Sequence, residues 1–397
     1  MLSTKEIIAK TEKYGAHNYR PKEVVIVKGE GAVVTDPEGR TYIDMLSAYS
    51  ALNFGHCHPE IVAAAKDQLD KVTLTSRAFH NNLLCEFCEK LAVLTGKEMV
   101  LPMNTGAEAV ETSLKTARRW GAFRKGVEEG KQEIICCENN FHGRTITIIT
   151  MSTDPTARKG FGPYTPGLKV VEYGNAEALE NAITENTVAF LVEPIQGEAG
   201  IIVPPEGYLR KVREICDRHN ILFIADEVQT GFARTGKMFA CEHEGVTPDI
   251  YVLGKALGGG VMPVSAIAAN RDILDVYEPG SHGSTFGGNP LACAVALKAM
   301  EILVRDDYPN MAEEKGRYFM EKLRTIKNDE IVDVRGRGLL IGVEFKCDAA
   351  PYVKKLIENG VLCKETHEKT IRFAPPINIP YDQLDKAIDV IIKTLTK

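Results

Sequence analysis

The sequence has no apolar run long enough to cross a membrane and no block of basic residues. A membrane-spanning helix needs about 18 consecutive apolar residues, and no stretch of the 397 residues approaches that length. The formal net charge is −6, which disfavours nucleic acid as a partner. Residues 1–14 lack the apolar core of a secretory signal and contain acidic residues but no arginine. We therefore expect a cytoplasmic protein that binds neither a membrane nor nucleic acid.

The sequence also lacks a paired metal-binding motif. Ten cysteines are scattered along the chain, and Cys85 and Cys88 form a single C-x-x-C with no second pair. Residues Gly231–Lys237 match the start of a phosphate-binding P-loop, but Met238 stands where a serine or threonine must contact magnesium. We therefore predict reduced thiols, no metal site and no nucleotide site.

What the sequence does contain is enough apolar material for a large core. Hydrophobic residues make up 44% of the chain and charged residues 26%, a balance typical of ordered globular proteins. Short apolar runs alternate with amphipathic stretches such as Tyr208–His219, which predicts a mainly parallel sheet covered by helices on both faces. The runs interpreted as buried strands are Ile134–Cys137, Val170–Tyr173, Val188–Val192, Ile221–Ala225, Ile250–Leu253 and Ser265–Ala269.

The pattern changes near residue 305, where a separate α+β unit is predicted. It begins with an amphipathic helix over Tyr308–Lys327, followed by the strand-like stretch Ile331–Phe345. Strands predicted near the N-terminus, which could pair with this unit, are Val24–Val27, Ala32–Val34 and Thr41–Asp44. The chain is thus divided into an N-terminal segment (1–55), a large α/β domain (56–305) and a small α+β domain (306–397).

Chemically useful residues follow several of the predicted strands. Parallel sheets bind ligands beyond the carboxyl ends of their strands, so these positions are candidate site residues. Gly106 and Ala107 lie at a predicted helix N-terminus, which is suited to phosphate, although an ordinary helix cap has the same pattern. Asp226 follows Ile221–Ala225, where a carboxylate could equally cap a loop.

A lysine at the end of a buried strand is a stronger signal. Lys255 follows Ile250–Leu253, although lysines mostly remain exposed. Using a lysine with a pKa of ~10.4 as a free amine costs about 4 kcal/mol near neutral pH, and a bond to an aldehyde cofactor avoids that cost. Phe141 offers a flat apolar face and Arg144 a fork for a carboxylate, although this pair alone could be a surface loop.

Together these residues match the needs of pyridoxal 5'-phosphate (PLP). Lys255 would bind its aldehyde, the helix N-terminus its phosphate, and Asp226 its ring nitrogen. At ~4 Å and an effective dielectric of ~20, the attraction between Asp226 and a protonated ring nitrogen is worth about 4 kcal/mol, enough to keep that nitrogen protonated near neutral pH.

Across essentially its whole length the sequence resembles the class III aminotransferases, which are PLP-dependent enzymes of fold type I. The most specific matches are LFIADEVQTGFART (222–235), LGKALGGG (253–260), VEPIQGEAG (192–200), FHGR (141–144) and GSTFGGNP (283–290). The resemblance implies a large mainly parallel-sheet α/β domain, a smaller α+β domain, and a homodimer whose active sites are completed across the interface.

Roles for individual residues follow from the matching positions. The resemblance implies that Lys255 is the catalytic lysine, that Gln229 bonds the ring hydroxyl, and that Phe141 and Val228 enclose the ring. The remaining cofactor contacts that it implies come from Asp226, Gly106, Ala107 and, from a partner subunit, Thr285 with Ser284 nearby.

The implied substrates are L-ornithine and 2-oxoglutarate, in a ping-pong reaction that yields L-glutamate 5-semialdehyde and L-glutamate. Arg144 would bind the α-carboxylate of ornithine and, in the second half-reaction, the γ-carboxylate of 2-oxoglutarate. Arg372 would bind the α-carboxylate of 2-oxoglutarate. Glu198 would mask Arg372 while ornithine is bound, although the pair could also be a structural ion pair. Tyr19 resembles a residue of the ornithine-specific members, and Tyr49 is expected to line the same pocket.

Three other functions remain open from sequence alone. An enzyme of the same class for N-acetylornithine or 4-aminobutyrate would share the core motifs. A PLP-dependent aminomutase would need no 2-oxoglutarate, and a catalytically silent member would keep the fold without the reaction. Position 142 is His, as in many class III members, whereas some ornithine-specific members have Trp there.

Overall fold

The structure is a computed structural model that describes residues 2–397, and Met1 lies outside the described residues. The first elements are α1 (Thr4–Tyr14), β1 (Lys28–Glu30), β2 (Val33–Thr35), β3 (Thr41–Asp44) and the single turn α2 (Ser47–Ser50). The predicted strand at Val24–Val27 is wrong, because the first strand begins only at Lys28. Strand β2, which pairs with β1, has only three residues. The ladder therefore ends before Val24–Val27, although these β-branched residues have a high strand propensity.

A seven-stranded sheet forms the centre of the next part of the chain. Its strands run in the order β4-β10-β9-β8-β7-β5-β6. The five strands from β9 to β6 are parallel, and β10 is antiparallel to both of its neighbours. The elements are α3 (Pro59–Leu69), α4 (Asn82–Thr95), β4 (Met99–Met103), α5 (Gly106–Trp120), β5 (Glu133–Cys137), α6 (Ile146–Met151), α7 (Pro155–Arg158), β6 (Leu168–Val171), α8 (Ala176–Ala182), β7 (Thr187–Val192), α9 (Tyr208–His219), β8 (Leu222–Asp226), β9 (Ile250–Leu253), β10 (Ser265–Ala269), α10 (Arg271–Leu274) and α11 (Pro290–Arg305).

Strand β8 shows why this sheet is buried on both faces. Successive side chains of a strand point to opposite faces. Ile224 belongs to the apolar cluster that contains residues of α5, whereas Phe223 and Ala225 belong to the cluster that contains residues of α9. All five residues of β8 are buried, and the mainly parallel sheet that the sequence predicted is confirmed.

The C-terminal part builds a second sheet and completes a third. One sheet has the order β11-β12-β15-β14, and the other has the order β1-β2-β3-β13, in which β13 runs parallel to β3. Strand β13 of the C-terminal part therefore shares a sheet with the N-terminal strands. The elements are α12 (Tyr308–Leu323), β11 (Ile331–Arg337), β12 (Leu340–Phe345), α13 (Ala350–Glu358), β13 (Val361–Leu362), β14 (Lys364–Thr366), β15 (Thr370–Phe373) and α14 (Tyr381–Leu395).

The stretch Ile331–Phe345 forms a hairpin and not one strand. The chain reverses at Gly338, which has a φ of +52°, a region that favours glycine. A Cβ at this position would collide with the carbonyl carbon of Thr235, so the turn packs directly on the backbone of the loop that follows β8. Among residues 2–397, no helix is long and apolar enough to cross a membrane.

Candidate active site

The carboxyl ends of the parallel strands border a small cavity of about 210 Å³. Asp226 is the last residue of β8, and Lys255 lies two residues beyond the end of β9. Gly106, at the start of α5, borders the same cavity. The topology therefore brings together residues that are up to 149 positions apart in the sequence (255 − 106). Phe141, Val228 and Gln229, which the sequence also predicted as cofactor contacts, border it as well.

Asp226 is held in place by two hydrogen bonds. Its Oδ2 lies 2.6 Å from Nδ1 of His142, and its Oδ1 accepts a bond from the backbone N–H of Val228 at 3.1 Å. Both Asp226 and His142 are buried. Burial by itself lowers the pKa of His142, but the hydrogen bond and the negative charge of Asp226 outweigh it, so the pKa is raised above its usual value. Asp226 is therefore a buried carboxylate held beside a histidine whose own charged form is favoured.

Lys255 occupies an unusual backbone conformation at the edge of the cavity. It begins a short 3₁₀ turn (Lys255–Gly258), and its φ of +44° lies in a region that residues other than glycine seldom adopt. Burial lowers the pKa of Lys255, although the carboxylates of Glu198 and Asp226 act in the opposite direction. A lowered pKa makes the neutral amine more accessible near neutral pH than it is in a surface lysine.

The N-terminus of α5 forms another wall of the cavity. Thr105 caps the helix by accepting a hydrogen bond from the N–H of Glu108 at 3.2 Å. The first intrahelical hydrogen bond runs from the N–H of Ala109 to the oxygen of Thr105, so the N–H groups of Gly106 and Ala107 have no partner within the helix and are free to bind an anion. A Cβ at position 106 would lie 3.0 Å from Val228, so glycine keeps this wall in contact with its neighbour.

Two buried polar atoms on residues that line the cavity have no hydrogen-bond partner among residues 2–397. They are Oε1 of Gln229 and Nε2 of His142. The Gln229 side chain is fixed at its other end, where Nε2 donates to Glu198 at 3.3 Å and to the backbone oxygen of Tyr49 at 3.5 Å. Buried polar groups are usually paired, so these two atoms indicate a polar ligand.

A second cavity of about 640 Å³ adjoins the first and is bordered by four of the five predicted substrate residues, all except Tyr19. Arg144, Glu198 and Arg372 border it, and Nη1 of Arg372 lies 2.6 Å from Oε1 of Glu198. Arg372 is 1% exposed. Burial raises the pKa of Glu198, but the charge of Arg372 and its hydrogen bond reverse this effect and leave the pKa below its usual value. The ion pair that the sequence predicted is therefore present.

Tyr49 reaches this larger cavity from the N-terminal segment. It belongs to α2, whose four residues all have positive φ values between 48° and 70°, although none is glycine. This strained turn places the Tyr49 ring 4.9 Å from the guanidinium carbon of Arg372. At the other side of the cavity, the Arg144 guanidinium lies 5.2 Å from the ring of Phe141.

Three predicted site residues do not border either cavity. Tyr19 is 71% exposed and lies in the segment between α1 and β1. Thr285 is exposed, and Ser284 is half-buried and accepts a hydrogen bond from Asn104 at 2.9 Å. That Ser284 and Thr285 serve the site of a partner subunit stays a prediction.

Sequence reasoning missed Glu193 and Lys364. Glu193 follows β7 directly, borders the small cavity and accepts a hydrogen bond from the N–H of Phe141 at 2.8 Å. Burial raises the pKa of Glu193 to about 7. Its signal was a carboxylate directly after a buried strand, as at Asp226. Lys364 borders the larger cavity, and nothing in its local sequence distinguishes it from a surface lysine.

Comparisons with known proteins agree over the whole chain. A family model described as Aminotransferase class-III matches residues 14–395. The ornithine aminotransferase of Geobacillus sp. (strain WCH70) is 60% identical over 393 residues, which are 99% of this chain and 99% of that protein. A structure of the ornithine aminotransferase from Toxoplasma gondii, described as having partial occupancy of PLP at the active site, is 44% identical with a TM-score of 0.98, and the match covers 99% of this chain and 94% of that one. The acetylornithine aminotransferase from Elizabethkingia anophelis is 47% identical with a TM-score of 0.91, over 100% of this chain and 99% of that one. The predicted fold class is thereby confirmed.

Proposed function

This chain belongs to the class III aminotransferases, and from that premise we propose that it transfers the δ-amino group of L-ornithine to 2-oxoglutarate. The products are L-glutamate 5-semialdehyde and L-glutamate, formed in two half-reactions at one site. The observation that carries this proposal is the 2.6 Å ion pair between Glu198 and Arg372 in the larger cavity. Such a pair lets one site accept two substrates whose carboxylates are spaced differently.

The small cavity fits PLP by the chemistry of its walls. The N-terminus of α5 would hold the phosphate, Asp226 the ring nitrogen, and the unpaired Oε1 of Gln229 the ring hydroxyl. Phe141 and Val228 supply apolar surface for the ring. When bound, PLP supplies an aldehyde that takes up amino groups and a ring that accepts an electron pair.

Residues of the chain would transfer the proton of the reacting carbon and hold the ring nitrogen. Lys255, whose pKa is lowered by burial, would take a proton from the δ-carbon of ornithine as a general base. Asp226 would bind the ring nitrogen, and its hydrogen bond to His142 would fix the orientation of the carboxylate. Both cavities lie at the same edge of the sheet. The base Lys255 and the arginines that would bind the substrate carboxylates therefore act at the same edge.

Glu198 and Arg372 would decide which nitrogen reacts. While they are paired, the α-carboxylate of ornithine cannot bind Arg372 and binds Arg144 instead, which directs the δ-amino group to the reacting position. When 2-oxoglutarate enters, its α-carboxylate would replace Glu198 on Arg372 and its γ-carboxylate would bind Arg144. The pair thus rejects one binding mode and permits the other.

The proposal is tested by a substrate panel combined with one variant. Initial rates would be measured with ornithine, N-acetylornithine and 4-aminobutyrate, each with 2-oxoglutarate, and product position would be determined for ornithine. We expect ornithine to give the highest kcat/KM and a δ-product. Glu198→Ala exposes Arg372 and should shift the product ratio towards α-transamination by about 10-fold or more, as loss of a charge-assisted contact predicts.

Two results would contradict this assignment. A wild-type preference for another donor would remove ornithine as the substrate, and an unchanged α-to-δ ratio in Glu198→Ala would show that the ion pair is structural only. Lys255→Ala provides the control for background reaction and should lose turnover in both half-reactions.

One observation favours N-acetylornithine as a second candidate substrate. Tyr19, the residue expected to select ornithine, is 71% exposed and borders neither cavity. The similarity to an acetylornithine aminotransferase at 47% identity also covers the whole chain. Under this alternative, Tyr19→Phe would leave the donor preference unchanged, whereas under the main proposal it would reduce kcat/KM for ornithine selectively.

A further inference from the structure

Two cations stand directly opposite each other in the C-terminal sheet. Strands β14 and β15 are antiparallel, and Lys364 is the register partner of Arg372. Directly opposed residues of an antiparallel pair project from the same face, and like charges in this arrangement destabilise a sheet. Both side chains border the larger cavity. A repulsive pair at a cavity wall indicates that the two charges have a common ligand.

The two cations differ in how their charges are balanced. Arg372 is paired with Glu198 at 2.6 Å. The contacts of Lys364 are to Tyr49, whose hydroxyl accepts a hydrogen bond from Nζ at 3.1 Å and whose ring centroid lies 5.3 Å away. Among residues 2–397, no carboxylate lies within 4.0 Å of this Nζ, and the neighbouring Glu365 is bound by Lys22 at 2.6 Å.

Tyr49 interacts with both cations and offsets part of their repulsion. Its ring lies 4.9 Å from the Arg372 guanidinium carbon and 5.3 Å from Nζ of Lys364, so both cations interact with the same π-system. Lys364 is half-buried, which weakens the screening of its charge by solvent. The result is a cation at the cavity wall that lacks an anionic partner.

We propose that Lys364 is a second carboxylate-binding residue for the oxo acid. Its Nζ binds the α-carboxylate of 2-oxoglutarate together with Arg372, once that carboxylate has replaced Glu198. This inference rests on the proposed function, because it assigns a residue to the second half-reaction. With ornithine bound, Glu198 still covers Arg372 and Lys364 keeps its contact with Tyr49, so Lys364 contributes to one substrate much more than to the other.

The experiment measures binding separately from turnover. Glutarate is a dicarboxylate without the reactive oxo group, and its Kd for the PLP-loaded enzyme would be determined by calorimetry for wild type, Lys364→Met and Lys364→Arg. Lys364→Met should weaken glutarate binding and raise the KM for 2-oxoglutarate by roughly 10-fold, the value of one charge-assisted hydrogen bond. Lys364→Arg keeps the charge and should stay within about 3-fold of wild type.

Lys369→Met is the matched control, because Lys369 is an exposed lysine of the same segment that does not border the cavity. It should leave both quantities unchanged. Wild-type Kd and KM values in Lys364→Met would overturn the assignment, as would an equal rise in the KM for ornithine. An equal loss in Tyr49→Phe would trace the effect to the tyrosine hydroxyl and overturn it too. Failure of the wild type to transaminate ornithine would instead refute the proposed function, so the two failures are distinguishable.

Discussion

Glu193, Asp226 and His142 share one buried cluster at the candidate site, and the surroundings shift the pKa values of Glu193 and His142. His142 lies 2.6 Å from Asp226, and its pKa is raised mainly by that carboxylate against the effect of burial. Glu193 bonds only a backbone N–H, that of Phe141, and its burial raises its pKa to about 7. Burial thus favours the protonated form of Glu193 near neutral pH, whereas the neighbouring carboxylate favours the charged form of His142.

This difference predicts how stability depends on pH. Between the usual pKa of 4.5 and the folded value of about 7, Glu193 holds a proton in the folded protein that it loses in the unfolded chain. The contribution of Glu193 to the free energy of unfolding therefore falls as the pH rises from about 5 to about 8, and it stays constant above that range. Glu193→Gln keeps an acceptor oxygen but cannot ionise, so its stability relative to wild type should rise by about 1–3 kcal/mol over the same interval.

The measurement is urea unfolding of the cofactor-free protein at a fixed concentration and at several pH values. Glu185→Gln, which removes an exposed carboxylate, is the control and should run parallel to wild type. A constant difference between Glu193→Gln and wild type across the pH range would contradict the raised pKa.

At the scale of elements, local pattern predicts the strands and helices well but not the turns that position side chains. The buried strands ending at Asp226 and Leu253 were predicted because each is a short apolar run bounded by polar residues. The hairpin turn at Gly338 was missed because contact with Thr235, a residue far away in sequence, fixes it. The left-handed turn that carries Tyr49 has no local signal either, since tertiary packing holds it in that conformation.

The loop after β8 is joined to both other parts of the chain by Arg234, which is fully buried. Its guanidinium donates to Oδ1 of Asn53 at 3.1 Å, to the backbone oxygen of Leu339 at 3.1 Å and to that of Pro375 at 2.6 Å. Burial lowers the pKa of Arg234 to about 9. The three acceptors belong to the N-terminal segment and to the C-terminal unit, so this single side chain connects the elements that surround the cavities.

Replacing Arg234 should therefore destabilise the fold. Arg234→Met leaves three buried acceptors unpaired and should lower the free energy of unfolding by about 3 kcal/mol or more. Urea denaturation would measure this loss, and Arg124→Met, at an exposed arginine, should change stability by less than about 0.5 kcal/mol. An equally small change in Arg234→Met would show that the network contributes little to stability.

At the scale of the whole molecule, the sequence predicted more site residues than border the small cavity of this chain. Lys255, Asp226, Gln229 and the α5 N-terminus converge because they all lie at one edge of the sheet, a consequence of topology that the strand pattern indicates. Thr285 does not border its own cavity. The division into three segments stays a prediction, although β3 and β13 share a sheet.

We infer that the missing contact comes from a second copy of the chain, and mixed dimers test this. Phe286, next to Thr285, is 55% exposed, as expected of an apolar residue that a partner covers. Lys255→Ala removes the reactive amine, and Thr285→Glu places a negative charge against the phosphate. If Thr285 serves the partner's site, a mixed dimer of these two variants contains one intact site, formed by Lys255 of one protomer and Thr285 of the other. Co-expression with two different tags would isolate such dimers, which should regain about half of the wild-type activity per dimer.

The matched control pairs Lys255→Ala with Asp226→Asn. Both residues border the cavity of their own protomer, so every site in that mixed dimer carries one lesion and no activity should return. Absence of activity in the Lys255→Ala and Thr285→Glu dimer would mean that Thr285 acts within its own protomer or not at all. Recovery in that dimer alone would establish that each site is built from two chains, because no arrangement confined to one protomer yields an intact site from these lesions.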